Sequence, residues 1–146
     1  MKQFRSFLFA ITLGLAGIGI TLAPVSVFAG RTETLQYLKY AIDYQAYSDY
    51  YAVLGLANSS QAYRYYEYVF SYNSYVYLRN AYWSAPLGTE MQYYAGVSST
   101  YQYYAYVYAM YGYAYNTSYY EPSAAYYAYL AETYAALANY KAALNN

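Results

Sequence analysis

Tyr37, Tyr40, Tyr44, Tyr47, Tyr51 and Leu54 follow one another at alternating steps of three and four residues, the spacing that lines one face of a helix. The same rhythm returns in Tyr65, Tyr68, Tyr72, Tyr75 and Tyr82, and again in Tyr94, Val97, Tyr101, Tyr104, Tyr108, Tyr111 and Tyr115. A fourth run, Tyr127, Leu130, Tyr134, Leu137 and Leu144, is set among alanines that favour helix. Loop-forming composition separates the runs: Ala57-Asn58-Ser59-Ser60, Ser84-Ala85-Pro86-Leu87-Gly88, and Asn116-Thr117-Ser118 before Glu121-Pro122-Ser123. The pattern predicts helices near 32–56, 61–83, 89–115 and 122–144. Four segments of matched length with short connections predict an all-α, four-helix up-down bundle.

The heptad rhythm assigns Tyr37, Tyr40, Tyr44, Tyr47 and Tyr51, with Tyr101, Tyr104, Tyr108, Tyr111 and Tyr115, to the core seam. Thr89 and Ser123 are expected as N-caps, and Pro122 in a first helical turn, where a missing N–H costs nothing. The competing reading is a Tyr-rich β-assembly, because Tyr63–Tyr65 and Tyr104–Tyr108 also alternate and Tyr has high strand propensity. Each alternating run switches phase, at Tyr65-Tyr66 or Ala109-Met110, which a half-buried strand does not tolerate.

The first residues have a different character. Lys2 and Arg5 precede an uncharged stretch from Ser6 to Ala29, which ends in Val27-Phe28-Ala29 ahead of Gly30. Basic start, apolar run and small-residue end describe a secretory signal, with cleavage expected after Ala29. The expected organisation is a signal peptide over 1–29 and one Tyr-rich helical domain over 30–146, secreted to a periplasmic or extracellular location.

All 31 tyrosines lie after that leader, whereas Phe70 is the one phenylalanine there. A core that needed only bulk would use Phe freely, since a buried phenol must find a hydrogen-bond partner. The excess therefore implies that the hydroxyl, or the ring's oxidation chemistry, is wanted. Six adjacent pairs occur: Tyr50-Tyr51, Tyr65-Tyr66, Tyr93-Tyr94, Tyr103-Tyr104, Tyr119-Tyr120 and Tyr126-Tyr127. Neighbours on a helix diverge by about 100°, so one ring of a pair faces the bundle while the other faces outward. The expected outward set is Tyr103, Tyr106, Tyr113, Tyr119 and Tyr126, the candidates for surface association or dityrosine cross-linking.

Other chemistry is scarce. The chain has no His and no Cys, which excludes His-based catalysis, thiol nucleophiles, disulfides and the usual zinc or haem ligand sets. Seven Lys+Arg balance seven Asp+Glu, so nucleic acid is not an expected partner. Asp43, Asp49, Glu67, Glu90, Glu121 and Glu132 are dispersed and read as charges on solvated faces. No catalytic residue, metal site or cofactor is assigned, and an enzyme is not expected.

Four helices of this size cannot hide 31 phenols in one seam, so aromatic patches must reach the surface, and such patches mark interaction. The leading expectation is a secreted structural or matrix protein that self-associates into a homo-oligomer or polymer through aromatic faces. The alternatives are a secreted module whose rings bind polysaccharide, another surface protein or aromatic ligands, and a tyrosine-mediated electron relay.

Overall fold

The computed structural model describes residues 23–144, with side chains described from Gly30 onward. Among these residues there are four helices and no strand: α1 (Ala23–Asn58), α2 (Gln61–Ser84), α3 (Glu90–Ala114) and α4 (Glu121–Leu144). The chain is an all-α, four-helix up-down bundle. α1 packs on α2, α2 on α3 and α3 on α4, whereas α1 and α4 meet over much less of their length. Most of the expected leader lies outside the described residues. α1 begins earlier than expected and continues unbroken past Ala29. Among the described residues no helix is long and apolar enough to cross a membrane.

Each connection contains one residue in the left-handed region: Ser59 (φ 50°), Gly88 (φ 74°) and Asn116 (φ 47°). Gly and Asn adopt that conformation at little cost, and Asn116 also accepts a hydrogen bond from Arg64 Nη1 at 2.7 Å. Thr89 caps α3 as expected, its Oγ1 accepting from the Gln92 N–H at 3.2 Å. The Gln92 side chain reciprocates by accepting from the Gly88 N–H at 2.9 Å. Thr89→Ala should cost about 1 kcal/mol, read as a lower urea midpoint at unchanged m-value. Pro122 falls in the first turn of α4 as expected, but Ser123 is not the cap: the helix starts at Glu121, placing Ser123 inside that turn.

The core departs from expectation in its side chains. The buried columns are Thr34, Leu38, Ala41, Gln45 and Ser48 on α1; Arg64, Glu67, Ser71, Ser74, Leu78 and Ala81 on α2. On α3 they are Met91, Ala95, Ser98, Gln102, Ala105, Ala109 and Gly112, and on α4 Glu121, Ala124, Ala128, Ala131, Ala135, Ala138 and Ala142. None is a tyrosine. The period of seven is as predicted, yet the buried column stands one residue away from the tyrosine column on every helix.

Small side chains make this seam possible because they let helix backbones approach closely. Ser48 Oγ donates to the Glu67 carbonyl at 3.0 Å and Ser74 Oγ to the Ala41 carbonyl at 2.9 Å, tying α1 to α2 in both directions. Ser98 Oγ donates to the Ala131 carbonyl at 2.6 Å, tying α3 to α4. A short hydroxyl reaches a neighbouring helix's main chain only where no large ring stands between, and each such bond satisfies a buried polar group. Gln102 Nε2 completes the interior, donating to Gln45 Oε1 at 2.6 Å and to Ser71 Oγ at 3.0 Å.

Candidate functional site: a tyrosine shell and an acidic cleft

Displaced from the seam, the rings fill the grooves between helices. In the α1–α2 groove Tyr44 stacks on Tyr77 (5.2 Å between centroids) and Tyr51 on Phe70 (5.4 Å). The α2–α3 groove holds Tyr68 against Tyr113 (5.9 Å) and Tyr75 against Tyr106 (6.3 Å). In the α3–α4 groove Tyr108 lies on Tyr127 and Tyr101 on Tyr134, both at 5.6 Å. Offset and stacked pairs of this kind are each worth about 0.5–1.5 kcal/mol beyond area burial. The ring bodies cover the thin seam, Tyr37, Tyr77 and Tyr94 packing against its core cluster.

All six adjacent pairs make edge-on contacts, with centroids 5.2–5.9 Å apart. Two of them join the grooves. Tyr66, in contact with Tyr51, meets Tyr65, which contacts Tyr68 and Tyr113. Tyr103, in contact with Tyr75, meets Tyr104, which contacts Tyr127. One continuous array of rings therefore runs around three sides of the bundle.

The ten tyrosines assigned to the core seam are not in it. Tyr37, Tyr44, Tyr51, Tyr101 and Tyr108 are half-buried groove residues, and Tyr40, Tyr47, Tyr104, Tyr111 and Tyr115 are exposed, Tyr47 by 56% and Tyr115 by 67%. The physical reason is bulk: a ring in the seam would hold the helices too far apart for the serine-to-carbonyl bonds. Of the outward set, Tyr103, Tyr119 and Tyr126 are exposed, Tyr119 by 79%. Tyr106 and Tyr113 are instead half-buried against Tyr68. Loss of hydration, followed by the neighbouring phenols, raises the Tyr106 hydroxyl above its ordinary value, and the same causes raise Tyr77.

The fourth side carries different chemistry. Between α1 and α4 opens a cleft of about 380 Å³ with no aromatic lining residue. Ala52, Val53 and Leu56 of α1 face Pro122, Ala125 and Ala128 of α4, and Ala105 and Ala109 of α3 close the back. Its polar lining includes Asp49, Glu67 and Glu121. Glu67 is 3% exposed and Glu121 7%, so reading both as solvated-face charges is corrected. Arg64, itself buried, places Nε 3.7 Å from Glu121 Oε1.

This geometry divides the two acids. Burial first, then the charge and hydrogen bonding of Glu121, push Glu67 up to about 9, against the pull of Arg64; Asp49 adds to the rise. Burial also raises Glu121, opposed by its hydrogen bond with Glu67 and by Arg64. Glu67 is thus the protonated partner at neutral pH and Glu121 the anion beside the guanidinium, the usual outcome when two carboxyls share a low-dielectric site. Lost hydration raises Asp49 at the cleft mouth, offset by the Gln45 amide that donates to it at 2.7 Å.

Nothing local in the sequence marks this cluster, because Asp49, Arg64, Glu67 and Glu121 come from three helices. One signal was present: Arg64 and Glu67 continue the heptad column of Ser71, Ser74 and Leu78, so that column, if buried, buries charge. Comparisons with family models, with curated proteins and with solved structures found no match for this chain.

Proposed function

We propose that this chain is a secreted structural protein that self-associates at a cell surface through its tyrosine shell. The observation that carries the reading is the inversion of the bundle: small residues occupy the seam and rings are displaced outward, so Tyr103, Tyr119 and Tyr126 stand exposed beside half-buried neighbours. A ring braced edge-on by its neighbour is a rigid contact surface that loses little entropy on binding, and its phenol keeps it wettable before association.

Changing Tyr103, Tyr119 and Tyr126 together to Ser should weaken association at least about ten-fold, the loss of roughly 1.4 kcal/mol of contact, while the helical circular dichroism is unchanged. The corresponding Phe variant keeps stacking area and removes the hydroxyl. Association retained with Phe assigns the contact to ring packing; association lost assigns it to the phenol. A Ser variant that associates like the parent overturns the proposal.

The continuity of the ring array favours a second reading, a tyrosine-mediated electron relay. Time-resolved spectroscopy after one-electron photo-oxidation at the chain's surface tests it. A phenoxyl radical that moves from the α1–α2 groove to the α3–α4 groove supports the relay, and one that decays where it forms does not. Interrupting the array at Tyr65 and Tyr103 with Leu should block the transfer.

A further inference from the structure

We propose that the α1–α4 cleft binds a small organic cation, a protonated primary amine carrying a compact aryl or alkyl body. The inference is independent of the tyrosine shell, since no lining residue of the cleft is aromatic. Its volume, about 380 Å³, falls in the range of small-molecule sites, and apolar walls with a few converging polar groups are their usual construction. Val53 and Leu56 on one wall and Pro122 and Ala128 on the other form a hydrocarbon slot.

The inner end specifies the ligand's charge. Glu67 Oε2 and Glu121 Oε1 are both buried without a hydrogen-bond partner, as is Arg64 Nε, 3.7 Å from Glu121 Oε1, and Glu67 is a cleft-lining residue only 3% exposed. Buried acceptors without donors are costly, and Arg64 Nε stands too far from Glu121 Oε1 to hydrogen-bond it, so both carboxyl oxygens are open to N–H groups from a ligand. An ammonium supplies three donors and no acceptor. A neutral alcohol brings one donor and no charge, and an anion would meet the Glu121 and Asp49 carboxylates. Among the described residues no three carboxyl groups converge closely enough to hold a metal ion, whereas an ammonium on an apolar body needs only two acceptors and a wall.

Binding carries a proton balance. Before binding, Glu67 holds a proton at neutral pH. The groups facing it are Arg64 on its own helix, Glu121 on α4 and Asp49 on α1, while α3 contributes Ala105 and Ala109. An entering ammonium favours the carboxylate, so the Glu67 O–H proton passes to water and the N⁺–H groups donate to the oxygens it leaves. The hydrogen bond that this proton made between Glu67 and Glu121 is lost, and no other covalent bond changes.

Calorimetric titration of the purified chain with phenethylamine, and with phenethyl alcohol as its uncharged counterpart, tests the proposal. At about pH 7.5 the amine should saturate one site per chain and bind at least about ten-fold more tightly than the alcohol. Heats in phosphate and in HEPES, which differ in ionisation enthalpy and carry no primary amine, should report release of about one proton per amine bound. Glu67→Gln should lower amine affinity about ten-fold and abolish proton release, leaving alcohol binding unchanged. Ala125→Leu narrows the mouth at an exposed position and should lose amine binding. The proposal is overturned if the amine does not saturate, if the alcohol binds equally well, or if Glu67→Gln keeps parental affinity and proton release. If Glu67→Gln does not fold, the buffer pair and Ala125→Leu decide the matter.

Discussion

Raising the pH from about 5 to about 9 should lower the melting temperature of this chain, and Glu67→Gln should remove most of that slope. The sign follows from proton counting. Glu67 titrates at about 9 in the fold, against an ordinary value of 4.5, so between those values the folded state binds the proton and the unfolded state does not. Stability from this group is fully present below the unfolded value and is lost as pH climbs toward 9. Burial raises Glu121, Asp49 and Glu132 as well, which gives the same direction. Tyr77, Tyr106, Lys39 and Lys141, also raised, add their losses only at or above their ordinary values of 10.0 and 10.5, outside the window.

A ten-fold difference in proton affinity between folded and unfolded chain corresponds to about 1.4 kcal/mol, so the parent should lose a few kcal/mol across this range. Glu67→Gln, which keeps the shape of the neutral acid, should be more stable than the parent at pH 9 by about 2 kcal/mol, several degrees in melting temperature. Calorimetry at stepped pH measures this. A parent that becomes more stable with rising pH, as chains with salt-bridged carboxylates do, would contradict the assignment of Glu67 as the protonated partner.

The second large effect is in the seam. Ala95 and Ala138 are fully buried in the main core cluster, where the serine-to-carbonyl bonds show how closely the helices approach. Ala95→Leu and Ala138→Leu should each cost about 1–3 kcal/mol or more by forcing that approach apart. Leu is nearly as good a helix former as Ala, so a loss reads out packing and not propensity. Tyr115→Ser and Tyr119→Ser, although they remove far larger side chains, should each change stability by less than about 1 kcal/mol, because those rings are mostly in water. Urea unfolding of the four variants compares them directly. If the tyrosine substitutions cost more than the alanine ones, the bundle is held together by its rings.

The rhythm of the chain was legible and its phase was not. Tyr37, Tyr40, Tyr44 and Tyr47 each sit one residue before Leu38, Ala41, Gln45 and Ser48, and the two columns repeat identically. One residue is about 100° of helix rotation, enough to exchange core for groove. Ranking positions by bulk chose the tyrosines. The phenol, which prefers a wet edge, and the hydroxyls of Ser48, Ser74 and Ser98, which need a near backbone, decided otherwise. The tyrosine-free columns were visible as such, with Ala or Ser recurring at heptad spacing on each helix. Helix ends fall within one or two residues of those the sequence predicts, apart from the start of α1, because Gly88, Asn116 and Pro122 punctuate in recognisable ways. The acidic cleft was not legible: its carboxyls stand far apart in the chain, and only the bundle brings them to one end.

Sedimentation equilibrium of the unmodified protein over a range of concentrations tests the central claim most directly. A braced aromatic shell on three sides predicts reversible, concentration-dependent association at or below about 10⁻⁴ M, with a positive response to kosmotropic salt. A strictly monomeric chain throughout that range, indifferent to such salt, would contradict it.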